Sequence, residues 1–120
     1  GLPAPLFCPV VGDYYSGMQV TVPLSAVQCA PGTTPEVIAE VYRAAYPGPV
    51  VTYVDTPTKD GFLSAAALAG KDTMQIAVTG NAERMLLLAV YDNLGKGASG
   101  AAIQCMNLMC GLEESLGLEV

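Results

Sequence analysis

The stretch Thr73-Met74-Gln75-Ile76-Ala77-Val78-Thr79-Gly80-Asn81-Ala82-Glu83-Arg84-Met85-Leu86-Leu87-Leu88-Ala89-Val90-Tyr91 decides the fold. Its first part alternates, with Met74, Ile76 and Val78 on one side, which is the period of a half-buried strand. Gly80-Asn81-Ala82-Glu83 reads as a hairpin turn. Arg84 to Tyr91 is nearly continuous in apolar residues, the pattern of a strand buried on both faces.

Upstream of this hairpin, Val50 to Val54 is β-branched and aromatic, a further strand. Before it, Val37, Ile38, Val41, Tyr42 and Ala45 recur at helical spacing, with Glu36, Glu40 and Arg43 on the other side. Two start signals compete there: Thr33 with Glu36 fits a capping box, and Thr34 before Pro35 fits an N-cap with proline at N1. Tyr46-Pro47-Gly48-Pro49 ends the helix. Earlier still, Met18, Val20, Val22 and Leu24 alternate with Gln19 and Thr21, predicting a half-buried strand that Pro23 assigns to an edge. Gly12 to Gly17 is a loop. The apolar, proline-rich lead-in from Gly1 to Val11 is extended and needs cover from other structure. Between the second strand and the hairpin, Asp55 to Gly61 is a polar loop, and the alanine-rich stretch Phe62 to Gly70 predicts a short helix.

Downstream, a loop from Asp92 to Ser99 leads into a helix over Gly100 to Leu112. Only Gln104 and Asn107 interrupt its apolar surface, so it is expected to be buried on every side, against something this chain does not contain. These elements predict an α+β fold: a mixed, mostly antiparallel sheet with helices on one face. Residues 1–96 form the larger unit, and 97–120 carry the docking helix.

Composition excludes several classes. The chain has 120 residues, 52% of them hydrophobic and 13% charged, with a net charge of −6. Disorder is excluded by the hydrophobicity. The longest unbroken aliphatic run, Met85 to Val90, is far short of the ~20 residues a bilayer needs, so no membrane partner is expected. The scattered bases Arg43, Lys59, Lys71, Arg84 and Lys96 make no nucleic-acid surface. With no histidine in the chain, mechanisms that pair it with cysteine, serine or a metal are absent. Cys8, Cys29, Cys105 and Cys110 form no CxxC, so no metal site is expected. They are read as free, small, buried hydrophobes in a reducing compartment. No signal peptide is read at Gly1, and the chain is expected to be a piece of something larger.

Gly95-Lys96-Gly97-Ala98-Ser99-Gly100 matches the spacing of a dinucleotide fingerprint, but too few residues follow for the second strand that fingerprint requires. It reads instead as a tight strand-to-helix passage. Asp92-Asn93, emerging from a core strand, is either a binding pair or an Asx turn, with the turn favoured. Gln104 and Asn107 share a helix face and need partners, either neighbouring backbone or a ligand. Tyr14 and Tyr15 are a binding platform or a cover for the sheet end.

The run from Tyr91 through Asp92-Asn93-Leu94-Gly95-Lys96-Gly97-Ala98-Ser99-Gly100 to Gln104-Cys105-Met106-Asn107-Leu108-Met109 resembles the C-terminal signature of N-acetyl-gamma-glutamyl-phosphate reductases, D-N-L-x-K-G-A-x-G-x-A-x-Q-x-M-N-L-M. Phe7, Pro9, Gly17-Met18 and Val22-Pro23-Leu24 resemble an upstream stretch of the same family. Cys105 departs from the family's asparagine, Cys110 from its leucine, and Ser16 from a basic residue or glutamine.

The resemblance implies the substrate and dimerisation portion of an NADP-dependent enzyme of arginine biosynthesis, cytoplasmic, that reduces N-acetyl-glutamyl phosphate, an acyl phosphate, to the semialdehyde. It implies a homo-oligomer and an N-terminal nucleotide-binding domain as partners. The family's G-C-Y-P-T nucleophile and histidine base have no match here, so no residue is assigned as catalytic and the chain alone is expected to be inactive. By similarity to the related semialdehyde dehydrogenases, Asn93 is the foremost cofactor contact, with Lys96, Gly97 and Ala98 beside it. The rival readings are an aspartate-semialdehyde dehydrogenase fragment and a non-catalytic dimerisation module.

Overall fold

A computed structural model describes residues 4–120. Strand β1 (Met18–Ser25) is followed by a 3-10 turn, helix α1 (Pro35–Ala45), and strands β2 (Val51–Tyr53), β3 (Met74–Gly80) and β4 (Arg84–Tyr91). A π-helical turn over Gly95–Ser99 then runs into helix α2 (Gly100–Met109). The sheet order is β1-β4-β3-β2. The β1–β4 and β3–β4 pairs are antiparallel and β2–β3 is parallel, so the expected mixed, mostly antiparallel sheet is present. Pro23 lies on an edge strand, where its missing N–H costs no ladder bond.

The hairpin closes through Asn81, whose Oδ1 accepts from the Glu83 and Arg84 amides, each at 3.0 Å. At the start of α1 the second of the two signals prevails. Thr34 Oγ1 accepts from Val37 N, and Pro35 occupies the first helical position. Thr33 instead donates to the Ala30 carbonyl at 2.8 Å.

Register fixes the two faces. Val78 lies opposite Leu87 and Gly80 opposite Met85, so these share the side on which α1 packs. Ala39, Val78 and Met85 are the centre of that core, with Leu24, Ile38 and Tyr53 against it. The other face buries Ala77 and Leu88, also directly opposite each other, and Val90. Double burial is limited to the sheet's middle, because Leu86 in β4 is 42% exposed.

Three expectations need correction. Phe62 to Gly70 is not a helix. Asp60-Gly61, with Asp60 at φ 53°, folds the chain so that Lys59 and Phe62 exchange both backbone bonds, the hairpin chemistry of an Asp-Gly pair. Separate turns follow, closed by Ala67→Ser64, Ala69→Ala66 and Lys71→Leu68 amide-to-carbonyl bonds. Second, β1 is more exposed than half-buried, with Met18, Val20 and Val22 all open. Third, α2 stops at Met109, short of the expected Leu112; its apolar surface is not enclosed by its own chain. Only Gly100 and Asn107 are buried in it, while Met106, Leu108 and Met109 are exposed. The apolar lead-in is likewise uncovered at Leu6, Phe7, Val10 and Val11.

Met85 is 1% exposed and joins sheet to helix. Met85→Ala is expected to lower unfolding free energy by about 2–5 kcal/mol through lost burial and the cavity left behind. Urea denaturation followed by circular dichroism checks this.

Candidate functional site

The end of β4 carries the polar pair that the sequence singled out. Asp92 is buried, and its carboxylate accepts four hydrogen bonds from three chain segments. Oδ2 takes Ser16 Oγ at 2.7 Å and Gly70 N at 2.5 Å. Oδ1 takes Leu94 N at 2.7 Å and Gly95 N at 3.0 Å. The last two are the Asx turn expected at this position, and they satisfy amides at the start of the π-helical turn. The Ser16 and Gly70 bonds had no sequence signal beyond their positions beside glycines in loops. The amide of Gly70 and the hydroxyl of Ser16 hold the Asp92 carboxyl far below the usual carboxylate range, with Gly95 and Leu94 adding to them. Burial works the other way and is outweighed, because the oxygens are covered by their own donors.

Asn93, next along, is half-buried. Its Oδ1 accepts the Gly17 amide at 2.8 Å. Ser16–Asp92 and Gly17–Asn93 thus extend the β1–β4 ladder, which begins at Met18 opposite Tyr91, through side-chain rungs. Gly17 has φ 130°, and a side chain there would run into the Ala65 carbonyl, so both backbone angle and space demand glycine.

The glycine run is a packing device. A Cβ on Gly95 would press on the Lys71 carbonyl, and one on Gly100 would collide with the Asp72 carboxylate. The turn is held by Gly97 N donating to the Asp92 carbonyl at 2.8 Å and Ser99 N to the Leu94 carbonyl at 3.4 Å. Each spans five residues, hence the π-helical winding. Gly97 and Ala98 are exposed. Lys96 is turned along the helix, with Nζ donating to Gln104 Oε1 at 2.9 Å. Gln104 Nε2 in turn donates to Glu114 Oε1 at 2.6 Å. Asn107 donates to the Glu114 and Leu116 carbonyls at 3.1 and 2.9 Å, which is the backbone role expected of it. The tail continues to Asp72, whose amide donates to the Glu119 carbonyl at 2.9 Å and whose Oδ2 accepts from Glu119 N at 3.1 Å.

Tyr14, Tyr15, Ser16, Gly70 and Asp92 line an open cleft of about 660 Å³ beside this loop. Tyr15 stands 92% exposed, so it covers nothing within this chain. The cysteines are free, but the expectation of burial fails for Cys8, Cys105 and Cys110, which are exposed; Cys29 is intermediate. Cys105 lies on α2 and Cys110 caps its end, where the apolar residues lack cover, and Cys8 lies in the uncovered lead-in. Among the described residues no cluster of three metal-ligating side chains occurs, and no helix is long and apolar enough to cross a membrane.

No protein-family model matches the chain. It is 42% identical over 95% of its length to N-acetyl-gamma-glutamyl-phosphate reductase 2 of Nostoc sp.. It is 46% identical over 88% of its length to N-acetyl-gamma-glutamyl-phosphate reductase of Rhizobium leguminosarum bv. trifolii. The Trichormus variabilis enzyme of that name is 42% identical over 95% of the chain. The chain spans 36–38% of the length of these relatives.

Because the folded state depresses the Asp92 pKa, its contribution to stability is complete above the unfolded value of about 4 and disappears as pH falls below it. Asp92→Asn presents an NH2 group to a site built from donors, and is expected to cost roughly 2–4 kcal/mol at pH 7. The gap between Asn variant and parent should narrow between pH 4 and pH 2, as measured by denaturant titration at each pH.

Proposed function

We propose that this chain, homologous along nearly all of its length to a portion of the N-acetyl-gamma-glutamyl-phosphate reductases, is the substrate and dimerisation part of such an enzyme. The reaction is the NADPH-dependent reduction of N-acetyl-glutamyl phosphate to the semialdehyde in arginine biosynthesis, an oxidoreductase step of the cytoplasm. The observation that carries this reading is the 42–46% identity sustained over 88–95% of the chain.

NADPH supplies a hydride when bound. The residues of this chain orient rather than react, since it has no histidine and no cysteine in the family's nucleophile context. The loop fits a nicotinamide. Asn93 offers a half-buried amide fixed by a hydrogen bond, the group that can pair with a carboxamide, and Gly97 and Ala98 beside it are open. Lys96 is the weaker candidate, its ammonium already bonded to Gln104.

Accessible surface supports two absent partners. A compact 12.4 kDa protein exposes about 6,100 Å², whereas this chain exposes 8071 Å². The excess of about 2,000 Å² is larger than the roughly 800 Å² one partner loses at an ordinary interface. We assign residues 97–120, through Met106, Leu108 and Met109, to the nucleotide-binding domain. The part of the α1 side of the sheet that α1 leaves open, at Val20 and Val22 beside an open apolar groove of about 350 Å³, goes to a second copy.

The isolated chain is expected to show no phosphate-dependent reduction of NADP with N-acetyl-glutamate semialdehyde; measurable turnover sinks the assignment. Light scattering is expected to give a dimer or larger. A strict monomer at high concentration counts against pairing through the sheet.

A further inference from the structure

We propose that the backbone amide of Gly17 is a positioning group that sets the direction of the Asn93 amide, so that the site is selective for a hydrogen-bond acceptor. The argument rests on the assignment of Asn93 to the cofactor site, and adds the polarity of that contact. An asparagine amide has a donor end and an acceptor end that differ little in shape, and its neighbours decide which faces where. Here the neighbour is unambiguous. Gly17 N–H can only donate, and it lies 2.8 Å from the side-chain atom it meets, so that atom is the oxygen. The Nδ2 end is therefore the one turned from the ladder, and among the described residues no bond occupies it. Nothing near Gly17 permits the reverse arrangement, since its position is fixed on either side: Ser16 is bonded to the buried Asp92 carboxylate, and Met18 is in register with Tyr91. The group that meets Asn93 is accordingly an acceptor, the carboxamide oxygen of a nicotinamide rather than its NH2.

Two substitutions separate the halves of the amide. Asn93→Asp keeps an oxygen for Gly17 but has no donor, whereas Asn93→Leu has neither. Hydrogen exchange of the Gly17 amide, read by 15N NMR on the chain itself, is expected to stay within about twofold in Asn93→Asp and to accelerate about tenfold or more in Asn93→Leu, the equivalent of one hydrogen bond. Unchanged exchange in Asn93→Leu overturns the positioning proposal, whatever the cofactor does. NADPH affinity, measured by fluorescence titration of the polypeptide with its nucleotide-binding domain, is expected to fall about tenfold in both variants. If Gly17 exchange behaves as expected but Asn93→Asp keeps full affinity, the assignment of Asn93 to the cofactor fails and the Gly17–Asn93 lock survives as architecture alone. If Asn93→Asp loses Gly17 protection while binding persists, both fail.

Discussion

One buried carboxylate organises the functional end of this molecule. Asp92 closes β4 and accepts from Ser16, Gly70, Leu94 and Gly95, which lie on three segments far apart in sequence. Bonds to an ionised acceptor are stronger than neutral ones, and each donor here would otherwise lie near the sheet end without a partner. The charge therefore converts four local requirements into a single constraint. The loop before β1, the last turn before Lys71 and the start of the π-helical turn must all arrive at the same point. Residues 93–98 hang from that point, so their placement is as definite as the carboxylate's.

A second tier fixes what lies behind the loop. Gly95 and Gly100 let the helix approach Lys71 and Asp72 closer than any side chain allows, and Asp72 grips the tail at Glu119. From the other side Asn107 holds the tail at Glu114 and Leu116. Tail, helix and connection thus form a closed circuit of backbone and amide contacts. A helix with little burial of its own gains a fixed orientation from this circuit rather than from apolar packing, which leaves its greasy surface available.

Much of the sheet was legible because its determinants are local. Alternation, the Gly80-Asn81 turn, Thr34-Pro35 and edge-marking Pro23 each act within a few residues. The failures share one physical cause: burial and long-range donors are decided elsewhere in the chain. Alanine content over 65–69 argued for helix, yet the Asp60-Gly61 turn redirected the chain, and Gly70 gave its amide to Asp92, 22 residues away. Ser16, where the sequence departs from the resembled family's basic residue or glutamine, is a structural donor to Asp92. The glycine run was legible as a tight strand-to-helix passage, but the partners that demand glycine there, Lys71 and Asp72, could not be read from spacing.

The apolar character of α2 and the lead-in signals want of cover, and the folded chain leaves that want unmet. Its radius of gyration is 15.6 Å, against about 14 Å for a compact domain of this length. If the sequence had been shaped to fold as a closed body, Phe7, Val10, Met106 and Met109 would face a core or be polar. They do neither; Val27 and Phe62 in mid-chain are also strongly exposed, so the bare apolar surface exceeds the incidental exposure of single residues. A molecule that spends its strongest bonds on one loop while much of its apolar surface stays bare holds that loop steady independently of how that surface is covered, and the partners proposed above are what would cover it.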